Sequence, residues 1–149
     1  MKNLFNPSDT KEILARLHQL TPESKALWGK MKVSQMLAHC TKPLRIARGI
    51  DNPPRRLIGY LLSWIMKGSF FGEKPYPKNS PTDKDFIISD ARDFDAEKKI
   101  VIAHIQAFAD GGPVKCTKNP NPFFGKLTSA EWARGQYRHL DHHLTQFGV

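Results

Sequence analysis

The chain is poor in cysteine and has no secretory or membrane-spanning pattern. Cys40 and Cys116 are the only two cysteines, and they form no CxxC pair. A disulfide framework is therefore not expected, and the predicted location is the reducing cytoplasm. Residues 1–7 lack a basic start followed by an apolar run, so no secretory signal is predicted. The most apolar stretch, residues 57–66, is shorter than the roughly 20 residues that a membrane span needs.

Acidic residues are also few, with 14 Asp and Glu against 23 Lys and Arg, which gives a formal charge of +9. Such an excess can indicate a nucleic acid, an anionic membrane or an acidic ligand as partner. Here the basic residues are scattered from Lys2 to Arg138, and only residues 55–56 and 98–99 are adjacent basic pairs. This scatter favours a solvated basic surface, and no nucleic-acid partner is expected.

Several catalytic motifs are missing as well. The sequence contains no Gly-rich phosphate loop, no GxSxG and no HExxH. It shows no internal repeat, and only residues 86–88 have an extended pattern. The content of 40% hydrophobic and 25% charged residues is ordinary for a globular protein. We predict a single domain over residues 1–149.

Helical periodicity dominates what is present, so the predicted class is all-α, a helical bundle. The pattern predicts long helices at about 8–20, 33–48, 93–110 and 128–147, with Pro43 as a kink in the second. It also predicts a short helical turn over 22–28 and an extra short helix at about 55–68. Proline-rich loops over 73–85 and 114–126 separate these elements, and the first is long enough to be the lid or wall of a site. The helix at 55–68 is apolar on nearly all sides, which predicts burial in the core or in a homodimer interface.

The last helix carries the clearest chemical signal. With Leu140 at zero on a helical wheel, the core positions of this helix fall within about 60° of it. His143 lies at about −60° and His139 at about −100°, so both flank the core on one side, one turn apart. His142 lies at about 200°, near Arg138, and is predicted to face water. The first two imidazoles are therefore close enough to bind one metal ion.

A pair of histidines at this spacing is more often a half-buried pair without a metal, so a third ligand would decide the matter. His18, His39 and His104 are the candidates. Each lies at the edge of an apolar helix face or beside it, and periodicity does not choose among them.

Two stretches of sequence carry a resemblance to a known family. Residues 121–148 read NPFFGKLTSAEWARGQYRHLDHHLTQFG, and residues 28–40 read WGKMKVSQMLAHC. They resemble a DinB-related (DinB/YfiT-type) family of unknown function with the patterns H-P-x-F-G-x-L-T-x-x-E-W, H-L-D-H-H-L-x-Q-F-G and W-x-x-M-x-x-x-Q-M-L-x-H-C. The match covers both ends of the chain in the right order. It departs at Asn121, where the family commonly has histidine.

The resemblance implies a DinB-like four-helix bundle that binds a divalent metal through one histidine of the second helix and two of the last. Carried over to this chain, the metal ligands are His39, His139 and His143. Three neutral imidazoles suit Zn or Ni and leave a position open for water or substrate. Ligating histidines usually bind a further polar partner, and the nearby candidates in the sequence are Gln35, Gln136 and Gln146.

The expected function is a metal-dependent enzyme that acts on a small molecule. It would be either an S-transferase that uses a low-molecular-weight thiol or a hydrolase that uses metal-activated water. The alternative is a non-enzymatic metal-binding or stress-response module that acts through dimerisation. No further catalytic residue is assigned, because Cys40 lies on an apolar face and Asp141 points away from His139.

Overall fold

The structure is a computed structural model, and it describes residues 1–149 except for the side chains of Tyr60 and Leu62. Five α-helices follow one another along the chain: α1 (Pro7–Gln19), α2 (Val33–Ala47), α3 (Leu57–Phe70), α4 (Phe94–Lys115) and α5 (Ser129–Gln146). A short 3₁₀ helix spans Lys84–Phe86. Extended pairing in the described chain is limited to one bridge between Asn121 and Gly125. The predicted all-α class is confirmed.

Four of the helices enclose the core. α2 packs on α4 and α5, and α1 packs on the same two helices. α5 begins as the sequence predicts, because Thr128 and Glu131 form a reciprocal capping box. The buried faces of α2 and α5 hold Leu37, Cys40, Leu140 and Leu144. Since the face of α2 that holds Cys40 also includes His39, packing the core brings His39 towards α5.

The helix α3 was predicted to be buried either in the core or in a homodimer interface, and its position excludes the first alternative. Its outer side exposes five large apolar side chains by 54–85%: Leu57, Ile58, Leu61, Trp64 and Ile65. On a helical wheel these five fall within about 120°, opposite the side that holds Gly59. They form an apolar stripe, so the prediction that this helix is buried in the core is wrong. Burial in a homodimer interface stays a prediction.

Local contacts explain why only one side of α3 is covered. Gly59 lies so close to the main chain that a Cβ there would overlap the carbonyl oxygen of Phe123. At the other end of the helix, Phe70 and Phe71 pack against Phe124, with ring centroids 4.5 and 5.2 Å away. α3 is therefore attached through the 122–124 segment and leaves its stripe outside.

The segment between α1 and α2 differs from the prediction, because residues 22–28 form turns and bends and no helix. Tertiary hydrogen bonds take the place of helical ones. The main-chain N–H of Leu27 donates to the carbonyl of Gln146 at 2.8 Å. The carbonyl of Trp28 accepts from Nε2 of Gln146 at 2.7 Å. The segment is thus held against the end of α5.

Smaller differences concern helix ends. Asn6 caps α1, two residues before the start of the predicted Ser8–Thr10 cap, and Pro7 occupies the first turn. α2 runs through Pro43. α4 extends to Lys115 across a non-helical residue at Gly112. No helix in the described chain is both long enough and apolar enough to cross a membrane.

Candidate metal centre

Three histidines from two helices meet in the core. Their ligand-capable nitrogens all lie within 4.8 Å of one another, and they are His39, His139 and His143. Nε2 of His39 is 2.9 Å from Nε2 of His139. The three ring centroids are 4.7–4.9 Å apart. A group of this kind can hold a metal ion, and it consists of the three residues that the family resemblance implied as ligands.

Two of the rings are oriented by hydrogen bonds at Nδ1. Nδ1 of His39 lies 2.9 Å from the carbonyl oxygen of Phe86, which can only accept. Nδ1 of His143 lies 2.8 Å from Oε1 of Gln146. Each Nδ1 therefore carries the proton, and each Nε2 is unprotonated. This is the tautomer that binds a metal through Nε2.

The three glutamines predicted as partners of these rings have different contacts in the structure. Gln146 binds His143, as expected, and is itself anchored to Trp28. Gln35 instead joins the start of α2 to Asp90, since its amide donates to the Asp90 carbonyl. The partner of His39 is the carbonyl of Phe86, which the sequence analysis missed. A main-chain carbonyl leaves no residue signature that a sequence search could find.

The third glutamine is buried beside the third ring. Oε1 of Gln136 and Nδ1 of His139 are both buried and have no hydrogen-bond partner. They lie three residues apart on α5, which places them on neighbouring parts of the helix surface. An Nδ1–H donor on His139 and a carbonyl oxygen on Gln136 would be complementary groups.

Burial keeps the imidazoles of the group neutral. Burial first, and then the neighbouring His39, lower the pKa of His143 from 6.5 to about 3. The pKa of His139 lies well below 6.5, through burial first and then through His143 and His39. Burial also lowers the pKa of His39, partly offset by its hydrogen bond to Phe86. Neutral imidazoles are the form that a metal requires.

The geometry of the group suits a small divalent metal. At Zn–N distances of about 2.0–2.1 Å, two nitrogens in tetrahedral positions stand roughly 3.3 Å apart. The 2.9 Å separation of the Nε2 atoms of His39 and His139 needs only a slight opening to reach that value. Among the described residues, the group contains no fourth histidine, cysteine or carboxylate. Three protein ligands are typical of sites that keep a position for water or substrate.

His142 lies beside this group and does not belong to it. It is half-buried, with its ring centroid 5.9 Å from that of Trp28 and 5.6 Å from that of Tyr76. The prediction that it lies outside the metal group agrees with the structure, and the prediction that it simply faces water is wrong. Trp28 and Tyr76 come from two separate loops, so the helical wheel of α5 could not include them.

The other candidate histidines lie elsewhere. Nδ1 of His104 accepts from Arg48 at 2.7 Å. His18 lines a cavity between α1 and α4 that the three histidines do not line.

The remaining polar candidates have structural partners. Cys40 is buried, which raises the pKa of its thiol. The carboxylate of Asp141 pairs with Arg16 at 2.6 Å. Asn121, where the resembling family has histidine, accepts from the main-chain N–H groups of Phe123 and Phe124 through its side chain. It shapes the turn between α4 and α5.

The fold and the site together define an all-helical protein with a three-histidine group that can hold a metal ion. The chain belongs to a family described as proteins of unknown function, DUF1569, whose pattern matches residues 4–148. Comparison with curated proteins gave no match. Comparison with solved structures gave none either.

Proposed function

We propose that this protein is a metal-dependent enzyme of the DinB-like kind, with a Zn or Ni ion bound by His39, His139 and His143. The observation that carries the proposal is the set of three imidazoles, two from buried residues and one from the half-buried His139, each with one ring nitrogen within 4.8 Å of the others, and with no fourth protein ligand in the described group. The two hydrogen bonds at Nδ1 support it, because they fix the tautomer that ligates through Nε2.

A metal in such a site lowers the pKa of a bound water or thiol and so supplies a nucleophile at neutral pH. The chain's own contribution is to hold three neutral donors in a buried pocket. The substrate is a small molecule. A thiol-dependent S-transferase and a hydrolase both need the same three ligands, and the DinB-like resemblance favours the thiol.

Neither Cys40 nor Asp141 offers an available nucleophile or base to the group. The thiol of Cys40 is buried and donates a hydrogen bond to the sulfur of Met36, and burial raises its pKa. Asp141 is neutralised by Arg16. We therefore assign the activating role to the metal and leave the catalytic side chains unassigned.

Metal analysis of the purified protein tests the proposal. We expect about one Zn or Ni per chain, and loss of tight binding when His39, His139 or His143 is changed to Ala. His142→Ala is the matched control, since it removes an adjacent imidazole outside the group. A purified chain that takes up neither metal, or a His142→Ala variant that loses the metal while His143→Ala keeps it, would contradict the site. A screen of thiols with electrophiles on the metal-loaded protein then separates the two reactions.

The exposed apolar stripe of α3 favours a second candidate, a metal-binding module that acts as a homodimer. Five large apolar side chains on one face are more than a monomer usually leaves in water. Pairing of two α3 stripes around a two-fold axis would cover both. In this case the metal stabilises the fold, and the dimer is the functional unit.

A further inference from the structure

A cavity lies next to the metal centre on the outer side of α5. It has a volume of about 470 Å³. Its walls come from α5, from the first two residues of the chain, from the loop that holds Trp28 and from residues 72–78. The three histidines of the metal group do not line it, but His142 does. The cavity is thus a separate feature of the molecule that shares a wall with the site.

The cavity is positively charged. Its lining contains four basic residues, Lys2, Lys78, Arg134 and Arg138, against two acidic ones, Glu73 and Asp141. Asp141 is already neutralised by Arg16, which lies outside the lining. The guanidinium of Arg138 is fixed above the ring of Tyr76 at 4.7 Å, and it donates to the Ser69 carbonyl.

Among the described residues, three of these cations have no acidic partner, whereas Lys2 pairs with Glu12 at 2.6 Å. Within the described part of the chain, Arg134 makes no hydrogen bond or ion pair, and Nζ of Lys78 lies over the ring of Trp28 at 4.6 Å. A guanidinium without a partner can bind a carboxylate or phosphate through two parallel hydrogen bonds.

Aromatic rings line the same cavity. Trp28 and Tyr76 both lie beside His142, with their ring centroids within 6 Å of its ring. Rings of this kind bind flat molecules by stacking, and cations above them add to the attraction. A pocket with apolar rings and a few convergent charges is the usual composition of a small-molecule site.

We propose that this cavity binds a small flat molecule that carries a carboxylate or phosphate group. Arg134 and Lys78 would hold the anionic group, and Trp28, Tyr76 and His142 would hold the flat body. That such a molecule is the substrate of the metal centre rests on the proposed function, whereas its binding does not.

Contacts connect the cavity to the metal centre. The ring of His142 lies 5.1 Å from that of His143. Nε2 of Gln146 donates to the carbonyl of Trp28, and Oε1 of the same side chain accepts from Nδ1 of His143. A ligand that moves Trp28 therefore acts on the orientation of one metal ligand. Linkage then requires that metal binding and anion binding alter each other's affinity.

Nuclear magnetic resonance of the intact chain, kept metal-free with a chelator, tests the binding. Benzoate, phenyl phosphate and the neutral benzamide serve as probes. The three indole N–H signals report three places, because Trp28 lines the cavity, Trp64 lies on the α3 stripe and Trp132 is buried. We expect the anions to shift the Trp28 signal at millimolar concentrations and benzamide to leave it unchanged. The stronger of the two anions identifies the anionic group.

Two variants with the same change of charge complete the test. Arg134→Gln should weaken anion binding by about tenfold, the effect of one charge-assisted hydrogen bond. Lys99→Gln on the exposed surface of α4 is the matched control and should bind as the unaltered chain does. Equal binding of benzamide and benzoate, a shift of Trp64 in place of Trp28, equal effects of the two variants, or no binding of either anion would each overturn the proposal.

A zinc titration separates this proposal from the proposed function. A chain that binds benzoate but not zinc supports the cavity and contradicts the metal centre. A chain that binds zinc but neither anion does the reverse. If both bind, a zinc affinity that changes when benzoate is present supports the connection through Trp28, and an unchanged affinity contradicts it.

Discussion

Acid should destabilise the metal-free protein already between about pH 7.5 and pH 5.5, above the range in which ordinary carboxylates titrate. The cause is His143, whose pKa burial lowers from 6.5 to about 3 in the folded chain. As the pH falls, the unfolded chain takes up the proton first, because its imidazole keeps the ordinary pKa. The stabilising contribution is therefore complete above about pH 6.5 and is lost progressively as the pH falls towards 3.

The magnitude follows from the two pKa values. At about pH 5.5, an imidazole that stays neutral only in the folded chain reduces the free energy of unfolding by roughly 1.4 kcal/mol relative to about pH 7.5. His139, which is also buried and has a pKa well below 6.5, should add a similar amount. The two together predict a loss of about 3 kcal/mol, a large part of the stability of a domain of this size.

Urea unfolding of the metal-free chain at the two pH values, with a chelator present, measures this loss. His143→Gln should reduce the pH-dependent loss by about 1.4 kcal/mol, because glutamine has no titratable ring. The quantity compared is the difference between two pH values within each protein, so a general loss of stability in the variant does not affect it. The same pH-dependent loss in both proteins would show that His143 is not held neutral, and the buried site would be refuted.

Three further predictions concern the surroundings of the site. Gly29→Ala should weaken zinc binding, because a Cβ at this position would stand 2.6 Å from Nε2 of Gln146. Gly148→Ala is the control, since both glycines have a positive φ, of 83° and 77°, but a Cβ at Gly148 has room. Both variants should lose roughly 1–2 kcal/mol of stability to backbone strain in a melting experiment, and the control should keep its zinc affinity. Gln136→Leu should lower zinc affinity by about tenfold or more in a competition titration if its amide oxygen becomes the partner of His139, and an unchanged affinity would remove that role. Leu61→Glu, in the middle of the exposed α3 stripe, should give a monomer by light scattering where the unaltered chain gives a dimer, and two monomers or two dimers would contradict the proposed interface.

The sequence predicted the parts of the molecule that depend on periodic apolar residues within one helix. α2 and α5 begin and end close to the predicted residues, and the wheel of α5 correctly separates His139 and His143 from His142. Periodicity did not choose His39 over His18 or His104, since all three border apolar surface. The choice came from the resemblance in residues 28–40.

What the sequence missed depends on contacts between distant segments. Residues 22–28 have a helical start signal, yet their main chain bonds to the end of α5 instead. α3 is apolar on nearly all sides, and such a pattern does not reveal which side the rest of the chain will cover. The surroundings of His142 were hidden for the same reason, because Trp28 and Tyr76 approach it from two loops.

The hydrogen bonds around the metal group suggest how substitutions would affect it. His39 is oriented by the carbonyl of Phe86, and Gln146 is anchored by the carbonyl of Trp28. Both anchors are main-chain atoms, so replacing either aromatic side chain leaves the hydrogen bond available. A change in the path of the backbone, as at Gly29, would move an anchor directly. The orientation of these imidazoles should therefore tolerate side-chain changes at Phe86 and Trp28 and be sensitive to the backbone of the two loops that carry them.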